Sequence, residues 1–168
     1  MKNKKKLREL GLTFLVIWLP VLYGLSVYQD LPQNIRIHFG WSTAQPFEYM
    51  DKSLFIWALP LFLTLVQGFV YWTTTYKKIS KSSFEHFILW IVPVVQAVIY
   101  SSVLFKALNA SFDIMKPTLI LTGLILVISG NYLPKKVLEE EKPAPRLLAY
   151  SMVLVGFLCL LAGFFLSS

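Results

Sequence analysis

Five long apolar stretches, separated by short polar segments, occupy most of this 168-residue chain. The hydrocarbon core of a bilayer is about 30 Å thick and is crossed by about 20 apolar residues in a helix. Because a chain in lipid must satisfy its own backbone polar groups, each stretch is expected to be helical. The stretches cover approximately residues 10–28, 54–75, 87–107, 117–133 and 147–165. The sequence therefore predicts an all-α integral membrane protein, a bundle of five transmembrane helices.

The composition leaves little room for a soluble domain. Only 15% of the residues are charged and 56% are hydrophobic, whereas a soluble domain carries about 25% charged residues. The longest connection between stretches, residues 29–53, is too short to fold separately. We therefore expect a single membrane domain over 1–168, composed of a two-helix unit over 1–76 and a three-helix unit over 77–168.

The basic residues are sorted to alternate connections. Of the 16 lysine and arginine residues, all but Arg36, Lys52, Lys106 and Lys116 precede the first stretch or lie in the second-to-third and fourth-to-fifth connections. Cytoplasmic loops of membrane proteins carry the excess of basic residues. We therefore expect a cytoplasmic amino terminus, an extracytoplasmic connection between helices 1 and 2, and an outer carboxyl terminus.

The net charge of +7 follows from this sorting. Basic segments beside a bilayer are attracted to anionic lipid by about 1 kcal/mol per residue. A nucleic-acid-binding protein needs a folded basic surface, and these connections are too short to form one. The lipid bilayer is thus the expected partner, and nucleic acid is not.

The polar groups within the stretches are few. All nine acidic residues fall in connections or at helix ends, whereas ion-coupled transporters usually keep an ionisable residue near the midplane. Gln67 and Gln96 are the intramembrane polar candidates. We expect them to hydrogen-bond between helices, to each other or to other groups, and contact with a polar ligand is the alternative.

Proline and glycine positions predict how the helices pack. Pro20, Pro60 and Pro93 lie inside three stretches and predict kinks that shape the bundle. Glycines recur every seven residues in the last two stretches, which places each pair on one helix face and predicts close contact between these two helices. The glycines are Gly123, Gly130, Gly156 and Gly163.

The first connection contains an alternating segment, I-R-I-H-F-G-W-S, which begins at Ile35. The alternation places Ile35 and Trp41 on one face and Arg36 and His38 on the other, which favours a short extended segment lying over the helix ends. In this topology the only other histidine, His86, is on the opposite side of the membrane. Zinc needs three or four ligands and a nucleophile needs a base, so the sequence predicts no metal, no cofactor, no catalytic residue and no enzyme.

Two motifs carry a resemblance to a known family. The segment L-P-Q-N-I-R-I-H-F, residues 31–39, resembles the L-P-x-x-I-P-x-H-F signature of the bacterial domain of unknown function 1648, the amino-terminal half of SdpI-type membrane proteins. The segment G-N-Y-L-P-K, residues 130–135, is similar to the G-N-x-x-P-K element at the end of a central span in that family. The motif positions are Leu31, Pro32, Ile35, Phe39, Gly130, Asn131, Pro134 and Lys135.

The chain also departs from the family pattern. Arg36 occupies the second proline of the signature, and a single span follows Lys136 where the family carries a longer cytoplasmic stretch. The best-understood family member gives immunity against a toxic peptide made by sister cells and sequesters a transcriptional repressor. The connections here are too short for sequestration to be carried over.

The resemblance therefore implies a non-enzymatic protein, multi-pass in a bacterial cell membrane, that gives immunity to a membrane-active peptide or senses one at the outer face. The contact candidates are Arg36, His38, Trp41 and Asp51. A small transporter or permease component, working as an oligomer, is the alternative. Solute flux that depends on Gln67 or Gln96 would favour that alternative.

Overall fold

The computed structural model describes residues 2–37, 49–76, 82–133 and 145–165, and for residues 2–5 and 82 it describes the backbone alone. The described chain forms five helices and one small antiparallel sheet, β1 with β2. In chain order these are α1 (Lys2–Ser26), β1 (Asn34–Arg36), β2 (Tyr49–Asp51), α2 (Lys52–Tyr76), α3 (Ser82–Leu108), α4 (Met115–Tyr132) and α5 (Arg146–Phe165). The predicted all-helical bundle, with an extended segment between its first two helices, is confirmed.

Four of the described helices, α1, α2, α3 and α5, are long and apolar enough to cross a membrane. The chain is thus a multi-pass membrane protein by the length and composition of its helices. α4 does not belong to this set. It has 18 residues, about 27 Å of helix, and polar residues occupy both of its ends: Lys116 near the beginning and Asn131 near the end.

α1, α2 and α3 pack against one another. From here on, the three-helix unit means these three helices, as distinct from the predicted unit over 77–168. Near the sheet, the rings of Phe55 and Tyr100 stack with centroids 4.7 Å apart. Both side chains are buried, and Ile56 and Leu104 are buried in the same cluster. Large apolar side chains on the outward faces of these helices are exposed, as expected for surfaces that face lipid.

A proline within α2 leaves a backbone carbonyl that a neighbouring helix satisfies. Pro60 has no N–H, so the carbonyl of Ile56, four residues earlier, loses its helical donor. The hydroxyl of Tyr100 on α3 donates to this carbonyl oxygen at 3.4 Å. The predicted kink site is therefore also a contact between α2 and α3.

α4 and α5 form a helical hairpin with closely approaching backbones. A Cβ atom added at Gly123 would lie 2.7 Å from the carbonyl oxygen of Gly156, and one added at Gly130 would lie 2.8 Å from that of Ala149. Side chains larger than hydrogen have no space at these positions. The prediction that the glycines mediate contact between the last two helices is confirmed.

The α4–α5 hairpin is attached to the three-helix unit through α4. Within the described chain, α4 packs on α3, and α5 packs on α4. Aromatic rings contribute to the junction, since Tyr132 lies with its ring centroid 5.0 Å from that of Phe84 and 6.2 Å from that of Phe87. α5 thus lies at the periphery of the molecule.

Candidate functional site

The candidate site is the β-hairpin between α1 and α2. Its strands pair in the register Asn34 with Asp51, Ile35 with Met50, and Arg36 with Tyr49. Side chains alternate along β1, with Asn34 and Arg36 exposed and Ile35 buried. The alternation predicted from the sequence is therefore present in the part of the segment that the structure describes.

Two apolar motif residues fix the hairpin to the helices. Leu31 and Ile35 are buried in one cluster with Val21 of α1 and Phe55 of α2. Burying an aliphatic side chain of this size contributes about 1.5–3 kcal/mol. Pro32 lies between them and is exposed. The hairpin is thus held against the ends of the three-helix unit, and we call this end of the bundle the hairpin end.

Lys52, the first residue of α2, ties the hairpin to the end of α1. Its Nζ donates to the carbonyl oxygens of Tyr28 at 3.2 Å and Leu31 at 3.3 Å, and it lies 4.6 Å from the centre of the Tyr28 ring. Its backbone N–H donates to the carbonyl of Gln33 at 2.9 Å. The charge pattern alone does not indicate this role, because it depends on contacts with the segment between α1 and β1.

Asp51 caps α2. One carboxylate oxygen accepts from the backbone N–H of Ser53 at 2.8 Å, and the other accepts from Nε2 of Gln33 at 2.7 Å. An aspartate at this position satisfies a helix N–H that lacks an intrahelical partner. The backbone bond from Ser53 is the main cause that lowers the pKa of this carboxyl below its ordinary value of 3.8. Asp51 therefore stabilises the hairpin, and its contact with a ligand stays a prediction.

The register places the other described candidate on the same face of the sheet as Asp51. Arg36 stands opposite Tyr49, and both side chains are exposed. Three predicted residues of this segment, His38, Phe39 and Trp41, lie outside the described residues. The structure thus brings Arg36 and Asp51 together on a fixed hairpin immediately beside the segment that contains the remaining candidates.

Gln67 joins all three helices of the unit. It is fully buried in α2, and its Nε2 donates to Oγ1 of Thr13 on α1 at 3.1 Å and to the carbonyl oxygen of Leu89 on α3 at 2.9 Å. That carbonyl is the one freed by Pro93, four residues later. The interhelical hydrogen bonds expected of Gln67 are therefore made, and its amide donates to these groups rather than to Gln96, for which the same expectation stays a prediction.

Each of the two intramembrane glutamines leaves one buried atom without a hydrogen-bond partner among the described residues. These atoms are Oε1 of Gln67 and Nε2 of Gln96. The side chain of Gln96 is 2% exposed. Buried polar groups are nearly always paired, so each glutamine retains hydrogen-bonding capacity that no described group uses.

The second motif lies at the end of α4. Gly130 contacts α5, as described above, and Asn131 is exposed in the last turn. α4 ends at Tyr132, and the backbone N–H of Leu133 donates to Ser129 at 3.0 Å. Pro134 and Lys135 lie outside the described residues. The helix end that this motif predicts is present at the expected place.

The sequence did not reveal a polar cluster at the end of the bundle opposite the hairpin. Nδ1 of His86 lies 2.5 Å from Oε1 of Glu9, and the indole N–H of Trp90 donates to the same oxygen at 3.1 Å. Lys6 and Glu85 form an ion pair beside it. Because α1 and α3 begin before their apolar stretches, these groups lie inside helices rather than at their ends.

One comparison with known proteins gives a match. Residues 15–64 match the family model described as a domain of unknown function, DUF1648. The matched segment runs from the middle of α1 through the hairpin to the first half of α2, and it contains the signature from Leu31 onwards. Neither the curated proteins nor the solved structures give a match. The domain indicated by the first motif is therefore supported over this segment.

Proposed function

We propose that this chain is an SdpI-like protein of a bacterial cell membrane, which gives its cell resistance to a membrane-active peptide or senses such a peptide. The observation that supports the proposal is the fixed hairpin. Its core positions Leu31 and Ile35 are buried, Lys52 ties its base to the end of α1, and its polar face carries Arg36. A preorganised surface at a membrane boundary suits recognition, because binding then requires little ordering of the receptor.

The proposed topology places this hairpin outside the cell. The positive-inside rule supports a cytoplasmic amino terminus, and α4 would then cross the membrane as the fourth of five spans. Its tight antiparallel contact with α5, an apolar helix of full spanning length, supports this placement. A helix of about 27 Å crosses a bilayer with small local thinning.

The peptide would contact the polar face of the hairpin and the adjoining segment. Arg36, His38 and Trp41 provide a cation, an imidazole and a large aromatic ring, and arginine and tryptophan are among the residues that commonly dominate binding. Asp51 supports this surface through its bonds to Gln33 and Ser53 at the base of the hairpin. No covalent chemistry, cofactor or metal takes part in the proposal.

A deletion strain tests the proposal directly. We expect it to be several-fold more sensitive than the parent to at least one member of a panel of envelope-active peptides, and the wild-type gene to restore resistance. Arg36→Ala, His38→Ala and Trp41→Ala should restore less at equal membrane abundance. Tyr76→Ala is the matched control, because Tyr76 is exposed at the other end of α2. Unchanged sensitivity across the panel would contradict the proposal.

A small transporter or permease component is the second candidate. The observation that favours it is the buried polar contact of Gln67 with Thr13 and Leu89 inside the three-helix unit, where Oε1 of Gln67 has no hydrogen-bond partner among the described residues. Reconstituted vesicles should then show solute flux that Gln67→Ala abolishes and Arg36→Ala does not. The opposite pattern, peptide protection lost with Arg36→Ala and flux absent, favours the first candidate.

A further inference from the structure

The side-chain amide of Gln67 has an orientation that its two acceptors fix. Its Nε2 donates to the carbonyl oxygen of Leu89, which can only accept. It also donates to Oγ1 of Thr13, whose own proton is donated to the carbonyl of Leu10 at 2.8 Å. Exchanging the amide nitrogen and oxygen would place an oxygen against these acceptors, so Oε1 is the atom that points away from them. This oxygen is buried and has no hydrogen-bond partner among the described residues.

Gln96 places a complementary group on the buried face of α3 that Gln67 contacts. Residues on this face follow one another at intervals of three or four, which keeps them on one side of the helix. All of them are buried: Leu89, Pro93, Gln96 and Tyr100. Nε2 of Gln96 is a buried donor without a hydrogen-bond partner among the described residues. The core of the three-helix unit therefore contains an acceptor and a donor that match each other and are not bonded to each other.

The directions of the two helices bring these side chains toward each other. Gln67 donates to the Leu89 carbonyl, and nearer the hairpin end Tyr100 donates to the carbonyl of Ile56, so α2 and α3 run antiparallel. Gln96 lies seven residues beyond Leu89, which is about 10 Å along α3 toward the hairpin end. Helical side chains lean toward the N-terminus of their own helix. Gln67 therefore leans toward the hairpin end and Gln96 leans away from it, so the space between their levels is approached from both sides.

We propose that one buried water molecule joins Gln67 to Gln96 within the three-helix unit. The water accepts a hydrogen bond from Nε2 of Gln96 and donates one to Oε1 of Gln67. Buried waters in proteins bind polar groups that would otherwise be unpaired, and each needs two to four such partners. The site completes a polar connection from Thr13 on α1 through Gln67 on α2 to Gln96 on α3, in a part of the bundle where lipid supplies no hydrogen bonds.

Magnetisation transfer from water to the side-chain amide protons of Gln96 tests the site in the full chain, held in lipid nanodiscs. Although Gln96 is only 2% exposed, we expect rotating-frame cross-peaks between water and these protons, with the sign that indicates proximity rather than chemical exchange. The indole N–H of Trp18 is the internal control, because it donates to the hydroxyl of Thr64 at 3.0 Å in the same unit and should give no such cross-peak. Absence of the cross-peak at Gln96 would overturn the proposal.

The Gln96→Met variant keeps a long side chain but removes the donor to the water. We expect the side-chain amide resonances of Gln67 to shift in this variant. Ser102→Ala is the matched control, because Ser102 is buried on the same helix and donates to the Val98 carbonyl within it at 2.7 Å, so the Gln67 resonances should stay in place. Unshifted Gln67 resonances in Gln96→Met would contradict the site. A scalar coupling across a hydrogen bond from Nε2 of Gln96 to the Gln67 amide carbon would show a direct bond and would also overturn it.

Discussion

Hydrogen bonds from Gln33 and Ser53 stabilise the charged form of Asp51. The direction in which pH changes the stability of this contact can therefore be predicted. The hydrogen bond from the Ser53 backbone lowers the pKa of the Asp51 carboxyl, which means that folding favours the charged form. The stabilisation is then fully present above the ordinary value of 3.8 and is lost as the pH falls through the lowered pKa. We expect carbon-detected titration to give a midpoint below 3.8 for this residue.

The Asp51→Asn variant provides the matching stability test. The amide can still accept one bond but loses the charge that strengthens both bonds. We expect the Ser53 amide proton to exchange with solvent several-fold faster than in the wild-type protein at neutral pH. Asp30→Asn, an exposed position in the same connection, should leave the exchange unchanged. Equal exchange in both variants would show that Asp51 does not cap α2.

At the residue scale, local patterns were predictable and long-range pairs were not. The alternation that starts at Ile35 correctly indicated a half-buried strand, because strand faces follow a period of two. Glu9 and His86 are 77 positions apart, and no spacing in the sequence connects them. The one local hint was that each lies within one turn of an apolar stretch, where a helix extends beyond the lipid.

The prolines of α2 and α3 form part of the contacts between elements, and a double-mutant cycle tests this arrangement. Gln67→Leu leaves the Leu89 carbonyl without its donor and should lower the free energy of unfolding by about 1 kcal/mol. In a Pro93→Ala background the new Ala N–H can donate to that carbonyl within the helix, so the same substitution should cost clearly less.

Unfolding in bicelles measures all four corners of this cycle. Leu65→Ala is the control, because Leu65 is 75% exposed on the same helix and should give nearly the same small effect in both backgrounds. Independent effects of Gln67→Leu and Pro93→Ala would contradict the contact. The sequence predicted interhelical bonds for Gln67, but the identity of the acceptor depends on how the helices cross.

The glycine contact between α4 and α5 is sensitive to a single methyl group. Gly123→Ala forces a Cβ toward the Gly156 carbonyl, and overpacking of this kind typically costs about 1–3 kcal/mol. Gly68→Ala is the matched control, since a Cβ there meets nothing within 4 Å. We expect the first variant to lower the thermal stability of the purified protein and the second to leave it equal or higher.

Helix positions were predictable to within about two turns. The apolar stretches located all five helices, yet α1 begins at Lys2 and α3 at Ser82, before their apolar residues start. Polar first turns are expected where a helix extends out of the lipid, because apolarity is no longer required there. α4 lies at its predicted position. The polar residues at both of its ends leave it outside the set of helices that are long and apolar enough to cross a membrane.

Across the described part of the molecule, the two groups of helices are held together in different ways. The three-helix unit uses buried hydrogen bonds such as those of Gln67 and Tyr100, whereas the α4–α5 hairpin uses glycine backbones in close approach. The DUF1648 match over 15–64 falls entirely within the first of these. The matched segment therefore builds the hairpin end, and α4 and α5 form a separate packing element attached through α3.

The proposed function depends on the number of membrane crossings and on the side of the membrane that the hairpin faces. Labelling of single cysteine variants can determine both. In a Cys159→Ser background we expect membrane-impermeant reagent to label Ser26→Cys and Asn109→Cys in intact cells. Ser83→Cys and Arg146→Cys should react only after the membrane is opened, because the positive-inside rule places them in the cytoplasm. If Asn109→Cys and Arg146→Cys react from the same side, α4 does not cross. If Ser26→Cys reacts only after opening, the hairpin faces the cytoplasm and cannot meet a peptide from outside.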